Sequence, residues 1–271
     1  MSRPWTLTPT LKASAALHGC AALGALAAPA IWPWALAAIA ANHALLAVAG
    51  LLPRSSLLGP NLTCLPADAR ARREVALTID DGPDPEVTPL VLDLLDATGA
   101  KASFFCIGRR ARQHAPLCRE IVARGHRVEN HGDAHSNAFA LFGPGRMRAD
   151  ILTAQASLCD ITGTVPDFFR PTAGLRNPFL EPVLASLDLR LAAWTRRPFD
   201  TRDGCAQQVL SRLVRGLGPG DMLLMHDGHA ARTADGQPVI LAALPALLDA
   251  FAAQRLKAVT LQHACTATTS L

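Results

Sequence analysis

From Ala13 through Pro53 the chain runs for 41 residues without an Asp, Glu, Lys or Arg. One helix of that length would extend about 60 Å, twice the ~30 Å hydrocarbon thickness of a bilayer. Pro29, Trp32, Pro33 and Trp34 stand near its middle. Proline interrupts a helix there, and tryptophan favours the membrane–water interface. The run therefore predicts a membrane segment over residues 1–53, folded as a helical hairpin with transmembrane helices at about 13–30 and 35–52.

The flanks orient it. Arg3 and Lys12 precede the run, Arg54, Arg70, Arg72 and Arg73 follow it, and the connecting turn is uncharged. Basic residues are retained on the cytoplasmic side, which places both ends, and the domain that follows, on the cytoplasmic face of the cell inner membrane. A secretory signal peptide, with Met1–Lys12 as its basic region and a cut near Ala25–Ala30, would instead deliver a periplasmic or secreted domain. The second apolar stretch directly behind that cut speaks against it. Residues 54–73 read as a linker. The net charge of +4 comes mostly from the flanks, and no basic stripe with interleaved aromatics suggests a nucleic-acid partner. The seven cysteines are scattered without a CxxC pair, which predicts small buried hydrophobes in a reducing compartment, not a disulfide framework.

Beyond Glu74 the chain alternates. Strands are expected at Val75–Asp80, Ala102–Ile107, Arg127–Asn130, Asp167–Arg170, Arg190–Thr195, Met222–His226 and Lys257–Leu261, with helices near 86–98, 110–124, 145–161, 178–187, 205–216 and 238–254. In the first helix Val87, Leu90, Val91, Leu94 and Leu95 form one stripe, closed by Gly99. Regular alternation of this kind implies an α/β fold with a parallel sheet and helices outside it, and seven strands suggest a barrel, closed or incomplete.

Residues suited to chemistry collect where strands end. Asp80 and Asp81 close the first, His131 and His135 follow the third, Arg170 ends the fourth, Asp200 follows the fifth, and His226 ends the sixth. One rim of an α/β barrel gathers such ends and hosts catalysis. Neighbouring strand residues point to opposite faces, so Asp80 and Asp81 can both aim inward only where Gly82-Pro83 diverts the chain. One is then free to serve as a base while the other holds a metal. His131 and His135 share a face if their segment turns helically, and with one Asp they supply three N/O ligands of an open site. His18, His43, His114, His126, His229 and His263 read as bystanders.

Thr78-Ile79-Asp80-Asp81-Gly82-Pro83, the HxxxH at 131–135, Arg170-Pro171-Thr172-Ala173-Gly174 and Leu224-Met225-His226-Asp227 stand in an order that resembles the polysaccharide deacetylases, carbohydrate esterase family 4 or the NodB homology domain. The resemblance covers residues 74–265, the expected catalytic domain. It implies a distorted (β/α) barrel of about seven strands and a hydrolase that removes an N-acyl group, acetyl or formyl, from an amino sugar of a polysaccharide, oligosaccharide or lipid-linked glycan. By family analogy Asp81, His131 and His135 hold one divalent metal ion, zinc by preference. Asp80 is the general base oriented by Arg170, and His226 is the general acid steadied by Asp200. Ala173 offers a backbone N–H to an oxyanion, and Leu224 and Trp194 belong to the pocket.

Two positions depart from the family pattern. Ala173 stands where an aromatic residue is usual, and Thr201 where many relatives have Trp. Both bear on pocket shape and substrate. A cytoplasmic site beside a membrane hairpin favours a lipid-linked substrate, with membrane lipid as a further partner. Two other readings predict different metal contents: an inactive, membrane-anchored sugar-binding scaffold none, and a phosphoesterase two ions.

Overall fold

The computed structural model describes residues 4–266, so Arg3 of the basic flank lies outside them. Two N-terminal helices come first, α1 (Pro9–Ala27) and α2 (Trp32–Leu51), followed by the short α3 (Ala67–Ala71). Then β1 (Glu74–Asp80), α4 (Thr88–Thr98), β2 (Ala102–Cys106), α5 (Gly108–Gln113), α6 (Ala115–Ala123) and β3 (Arg127–Asn130) alternate. The second half holds α7 (Pro144–Thr162), β4 (Phe168–Phe169), α8 (Leu180–Ser186), β5 (Arg190–Leu191) and α9 (Ala206–Val214). It ends with β6 (Met222–His226), α10 (Val239–Ala253), β7 (Lys257–Ala258) and α11 (Leu261–Thr266).

The strands form one parallel sheet in the order β5-β4-β3-β2-β1-β6, with β7 paired to the start of β1. A bridge between Arg196 and Leu223 brings the chain after β5 towards β6. The result is an incomplete parallel barrel, as the alternation predicted.

Side-chain alternation along a strand sorts the core into two faces. Val75, Leu77, Ile79, Phe104, Cys106, Leu223 and Met225 pack outward against the helices. Ala76, Phe105, Phe168, Ala192 and Met222 point inward. The register Ala76↔Met222, Thr78↔Leu224, Asp80↔His226 then carries this inward row up to the rim. Apolar residues fill the floor and the polar pair arrives at the top, as the period of two requires.

Several sequence expectations need correction. Residues 54–73 are no loose linker: Leu58, Leu65 and Ala69 are buried, and Leu65 and Ala69 join Leu261 and Ala264 in plugging the barrel floor. The last strand stops at Ala258, because Leu261 opens α11 for that plug. The fourth and fifth strands are two-residue pairings, since the chain leaves the sheet at Arg170 and Ala192 to build the rim. The helix expected over 110–124 is broken at His114, with Pro116 opening α6. In α4 the buried set is Thr88, Val91, Leu92 and Leu95, and Leu90 is about half exposed, although Gly99 caps the helix with φ 69° as foreseen. Only Cys106 and Cys118 of the seven cysteines are buried, and all seven are free thiols.

At the N-terminus, α1 and α2 fall at 9–27 and 32–51 instead of 13–30 and 35–52, with Pro29–Ile31 as a 3-10 turn between them. They pack together through Asn42 Nδ2, which donates to Ser14 Oγ at 2.8 Å, and through an edge contact between His18 and His43. Pro29–Leu51 is the one segment among the described residues long and apolar enough to cross a membrane.

Candidate active site

Asp80 is the last residue of β1, and its Oδ1 accepts a 2.5 Å hydrogen bond from Arg170 Nη1. Arg170 is wholly enclosed and held at every nitrogen. Nη1 also donates to Thr78 Oγ1, Nε to Ala192 O, and Nη2 to Ala193 O, while the Phe105 ring lies 4.1 Å from its centre. A guanidinium hydrogen-bonded at all three nitrogens tolerates burial, and it fixes one oxygen of Asp80 while the other, Oδ2, faces His131 at 3.8 Å.

Asp81 leaves the strand with φ 75°, which brings its carboxylate into the same cleft as that of Asp80. The following Gly82 is required by its neighbours: a Cβ there would lie 2.6 Å from the Asp227 carboxylate. Asp227 is buried, accepts from Thr88 Oγ1 at 2.5 Å and from Gly228 N, and burial pushes its pKa up to about 7. It braces the turn beneath the two aspartates.

His131 Nε2 and His135 Nε2 approach Asp81 Oδ1 at 3.2 and 2.9 Å. The other nitrogen of His131, Nδ1, lies 2.7 Å from the Arg170 carbonyl, which can only accept, so Nδ1 carries the hydrogen and Nε2 keeps its lone pair free. Burial opposes ionisation of Asp81, but contacts with the His131, His135 and His229 imidazoles hold it well below the usual carboxylate range. Asp81 Oδ1 is itself buried without a hydrogen-bond partner. An orphaned carboxylate oxygen facing two imidazole nitrogens is a donor set suited to a divalent cation, and Asp81, His131 and His135 fit one by their chemistry.

The 131–135 segment is not helical, so the condition under which spacing alone would align the two histidines is not met. Gly132 and His135 have φ of 75° and 48°, and the Asp150 carboxylate accepts from the N–H groups of Asp133 and Ala134. Asp150 thus bends the loop that sets both histidines against Asp81.

His226 closes the other side. Its Nδ1 lies 2.8 Å from Asp200 Oδ1, and its backbone N–H donates to Asp200 Oδ2 at 2.8 Å. Burial lowers the imidazole pKa, yet the hydrogen bond and charge of Asp200, with the charges of Asp80 and Asp81, lift it to about 9. Leu224, Trp194 and Ala173 line the cleft with these groups, and Ala173 has φ 56°. Arg170 and Asp200 stand behind it, each bonded to one lining side chain. The cleft encloses about 430 Å³. Every residue expected from sequence is therefore drawn to one rim.

His229 is the residue that sequence reasoning set aside. Its Nδ1 lies 3.2 Å from Asp81 Oδ2, its ring stacks on His135 at 5.8 Å, and Asp81, His135 and His229 offer ligand atoms within 4.8 Å of one another. Its place three residues beyond His226, behind Gly228, was the available signal. A second perturbed carboxyl, Glu129, lies outside the cleft lining. It is wholly buried, accepts from the N–H groups of Asp167 and Phe168, and burial pushes its pKa up to about 8.

The sequence profile of the polysaccharide deacetylase family matches residues 67–192. A peptidoglycan-N-acetylglucosamine deacetylase of Bacillus cereus is 32% identical over 161 residues, covering 59% of this chain and 75% of its own length. A chitooligosaccharide deacetylase of Bradyrhizobium sp. is 31% identical, covering 60% and 74% respectively. Among solved structures, a peptidoglycan N-acetylglucosamine deacetylase superposes with a TM-score of 0.68 at 25% identity, over 77% of this chain and 94% of that one.

Proposed function

The chain belongs to the polysaccharide deacetylase family and is a carbohydrate deacetylase, and on that premise we propose that it is a metal-dependent N-deacylase acting on the amino sugar of a membrane-associated glycan. The observation that carries the reading is the joint placement, in one cleft, of an Asp–His–His donor set, an arginine-clamped Asp80 and an aspartate-clamped His226.

Asp81, His131 and His135 would hold one divalent ion, zinc by the softness of its nitrogen ligands. Such an ion supplies Lewis acidity, acidifying water and polarising an acyl carbonyl. The chain's own groups handle the protons. Asp80 takes the proton of the attacking water at Oδ2, the oxygen that Arg170 leaves open. The Ala173 N–H steadies the developing oxyanion. His226 gives a proton to the departing nitrogen, because an amide anion is a poor leaving group, and the Asp200 contact keeps that proton in place at neutral pH. The products are a free amino sugar and a short carboxylate.

We further propose that α1 and α2 lie in the membrane, with the α/β domain on the cytoplasmic side. The apolar Pro29–Leu51 segment and the basic residues on both flanks support this. Reporter fusions at the C-terminus, active in only one compartment, check the side.

Mass spectrometry of N-acetyl and N-formyl amino sugars incubated with the metal-loaded protein tests the reaction, since the mass lost names the acyl group. One ion per chain is expected, lost in His131→Ala. Asp80→Asn is expected to keep the ion and lower kcat by about 10²–10⁴. Full turnover by that variant removes Asp80 from its role.

A further inference from the structure

The cleft carries positive charge that hydrolysis does not use. Arg109, Arg197 and Arg202 line it, and among the described residues none of the three forms a salt bridge. Arg197 is the most confined. Its Nε is buried without a hydrogen-bond partner. Its guanidinium lies 5.3 Å from the Trp194 ring and 5.1 Å from the Phe199 ring, so aromatic faces hold it at the cleft wall. Burial and the neighbouring charge of Arg202 both push it below the ordinary arginine range.

Asp200 and Asp80 offset part of the charge on Arg197 from a distance, but neither forms an ion pair with it, because each is engaged elsewhere. Asp80 is bound by Arg170, Asp81 faces three imidazoles, and Asp200 is bound to His226. Arg197 is half-buried with an orphaned N–H, and Arg202 beside it is exposed, so an anion entering the cleft can meet both. Ala173 and Thr201 present small side chains to the same cleft, which leaves room beside Arg197 and Arg202.

The position of the N-terminal helices says where that anion sits. Gly174, next to Ala173, has φ 74°, and a Cβ on it would lie 2.6 Å from Trp194 and 2.8 Å from Pro53. Pro53 follows α2 by two residues. Gly50 O accepts from Arg176 N at 3.1 Å, and Arg54 Nη1 donates to Thr195 O. The end of the apolar helix is thus built into the cleft wall between Trp194 and the Ala173 loop. Trp194, which packs beside that helix end, is also the ring over which Arg197 sits, so a sugar entering there meets the arginine.

Resting on the deacylase reading, we infer that the cleft takes an amino sugar bearing a phosphate, bound by Arg197 and Arg202 with Arg109 as a third cation. The bidentate fork of arginine matches phosphate oxygens, and the charge is balanced by the substrate itself. A lipid-linked glycosyl phosphate and a free sugar phosphate share this chemistry.

The test compares kcat/KM of the metal-loaded full chain for an N-acetylhexosamine, its 1-phosphate, and the same phosphate esterified to a short polyprenyl chain. At least a tenfold preference for the phosphate over the uncharged sugar is expected. Arg197→Gln should reduce that ratio at least tenfold, Arg202→Gln by less, and Arg197→Lys should restore part of it. Should Arg197→Gln fail to fold, the wild type still decides: glucose 1-phosphate should inhibit turnover of the uncharged sugar at least tenfold more strongly than glucose does. Faster turnover of the polyprenyl compound assigns the phosphate to a lipid carrier, and equal turnover assigns it to a soluble sugar phosphate. Equal kcat/KM for charged and uncharged sugars overturns the inference and leaves the deacylase standing. No turnover of any N-acyl sugar overturns both.

Discussion

The rim of the barrel and the N-terminal helices reverse the ordinary relation between polarity and burial. At the rim, Asp80, Asp81, Arg170, Asp200 and His226 are all buried. On α1 and α2, Leu23, Leu26 and Trp34 are 70–80% exposed. Neither arrangement suits water. Buried charges are tolerated only when each meets an opposite charge or a full set of hydrogen bonds, and exposed apolar helices are tolerated only beside another apolar phase. The rim therefore carries its own counter-charges, while the helices leave apolar surface uncovered, which the proposed membrane placement would bury.

The largest effect that would break this comparison is expected from Arg170→Met. It leaves Asp80 without its guanidinium, and removing one partner of a buried pair costs about 3–5 kcal/mol. Urea unfolding should show a loss of that order, and kcat should fall with it because Asp80 is no longer oriented. A variant with unchanged stability would mean that the rim does not depend on internal charge pairing.

A somewhat smaller effect tests the helices. Leu45 of α2 is 53% exposed. An arginine near the centre of a spanning helix costs about 2.5–3.5 kcal/mol of insertion free energy. Leu45→Arg should move protein from the membrane fraction to the soluble or degraded fraction, without changing the unfolding of the α/β domain. Unaltered membrane retention would argue that the exposed apolar face meets something other than lipid.

The same contrast explains what was legible in the sequence. Long central strands such as β1, β2 and β6 are covered on both faces, so their apolar runs announce them, and their inward rows end in Asp80 and His226 by simple alternation. The strands β4, β5 and β7 are two residues each, too short for any periodicity to mark where pairing ends. The path from Arg54 to Arg73 read as a linker because it is rich in arginine and proline, although Leu58 and Leu65 are both buried. At the site, residues that end strands or stand in a recognisable motif were found, but two loop-shaping or loop-borne groups, Asp150 and His229, were not. Asp150 holds the 131–135 loop from α7, nothing in its local pattern distinguishing it from a solvated acid. His229 reaches Asp81 because its φ of 60° folds the chain back after Gly228, a turn that spacing alone does not reveal.

The mildest change probes the rim's balance of charge through Asp200→Asn. His226 has a pKa of about 9, above the unperturbed value of about 6.5. Its protonated form is thus favoured by folding. That contribution to stability is complete below about pH 6.5 and disappears as pH rises through about 9. In the proposed mechanism the same proton serves catalysis, so turnover should hold up to the alkaline limb and decline above it. Asparagine removes the hydrogen bond to a charged acceptor and the largest nearby negative charge, and burial, which lowers the imidazole pKa, then acts with less opposition. The alkaline limb of kcat should shift to lower pH by one unit or more, each unit corresponding to about 1.4 kcal/mol. A cation held by Asp81 repels the imidazolium in both proteins, so the difference between their profiles survives its presence. Stability should follow the same sign, with the gap between variant and wild type widest near pH 6 and narrowing towards pH 10. Coincident pH profiles would show that Asp200 positions the ring without setting its charge, and that the His226 side of the rim, unlike the Asp80 side, is not balanced pair by pair.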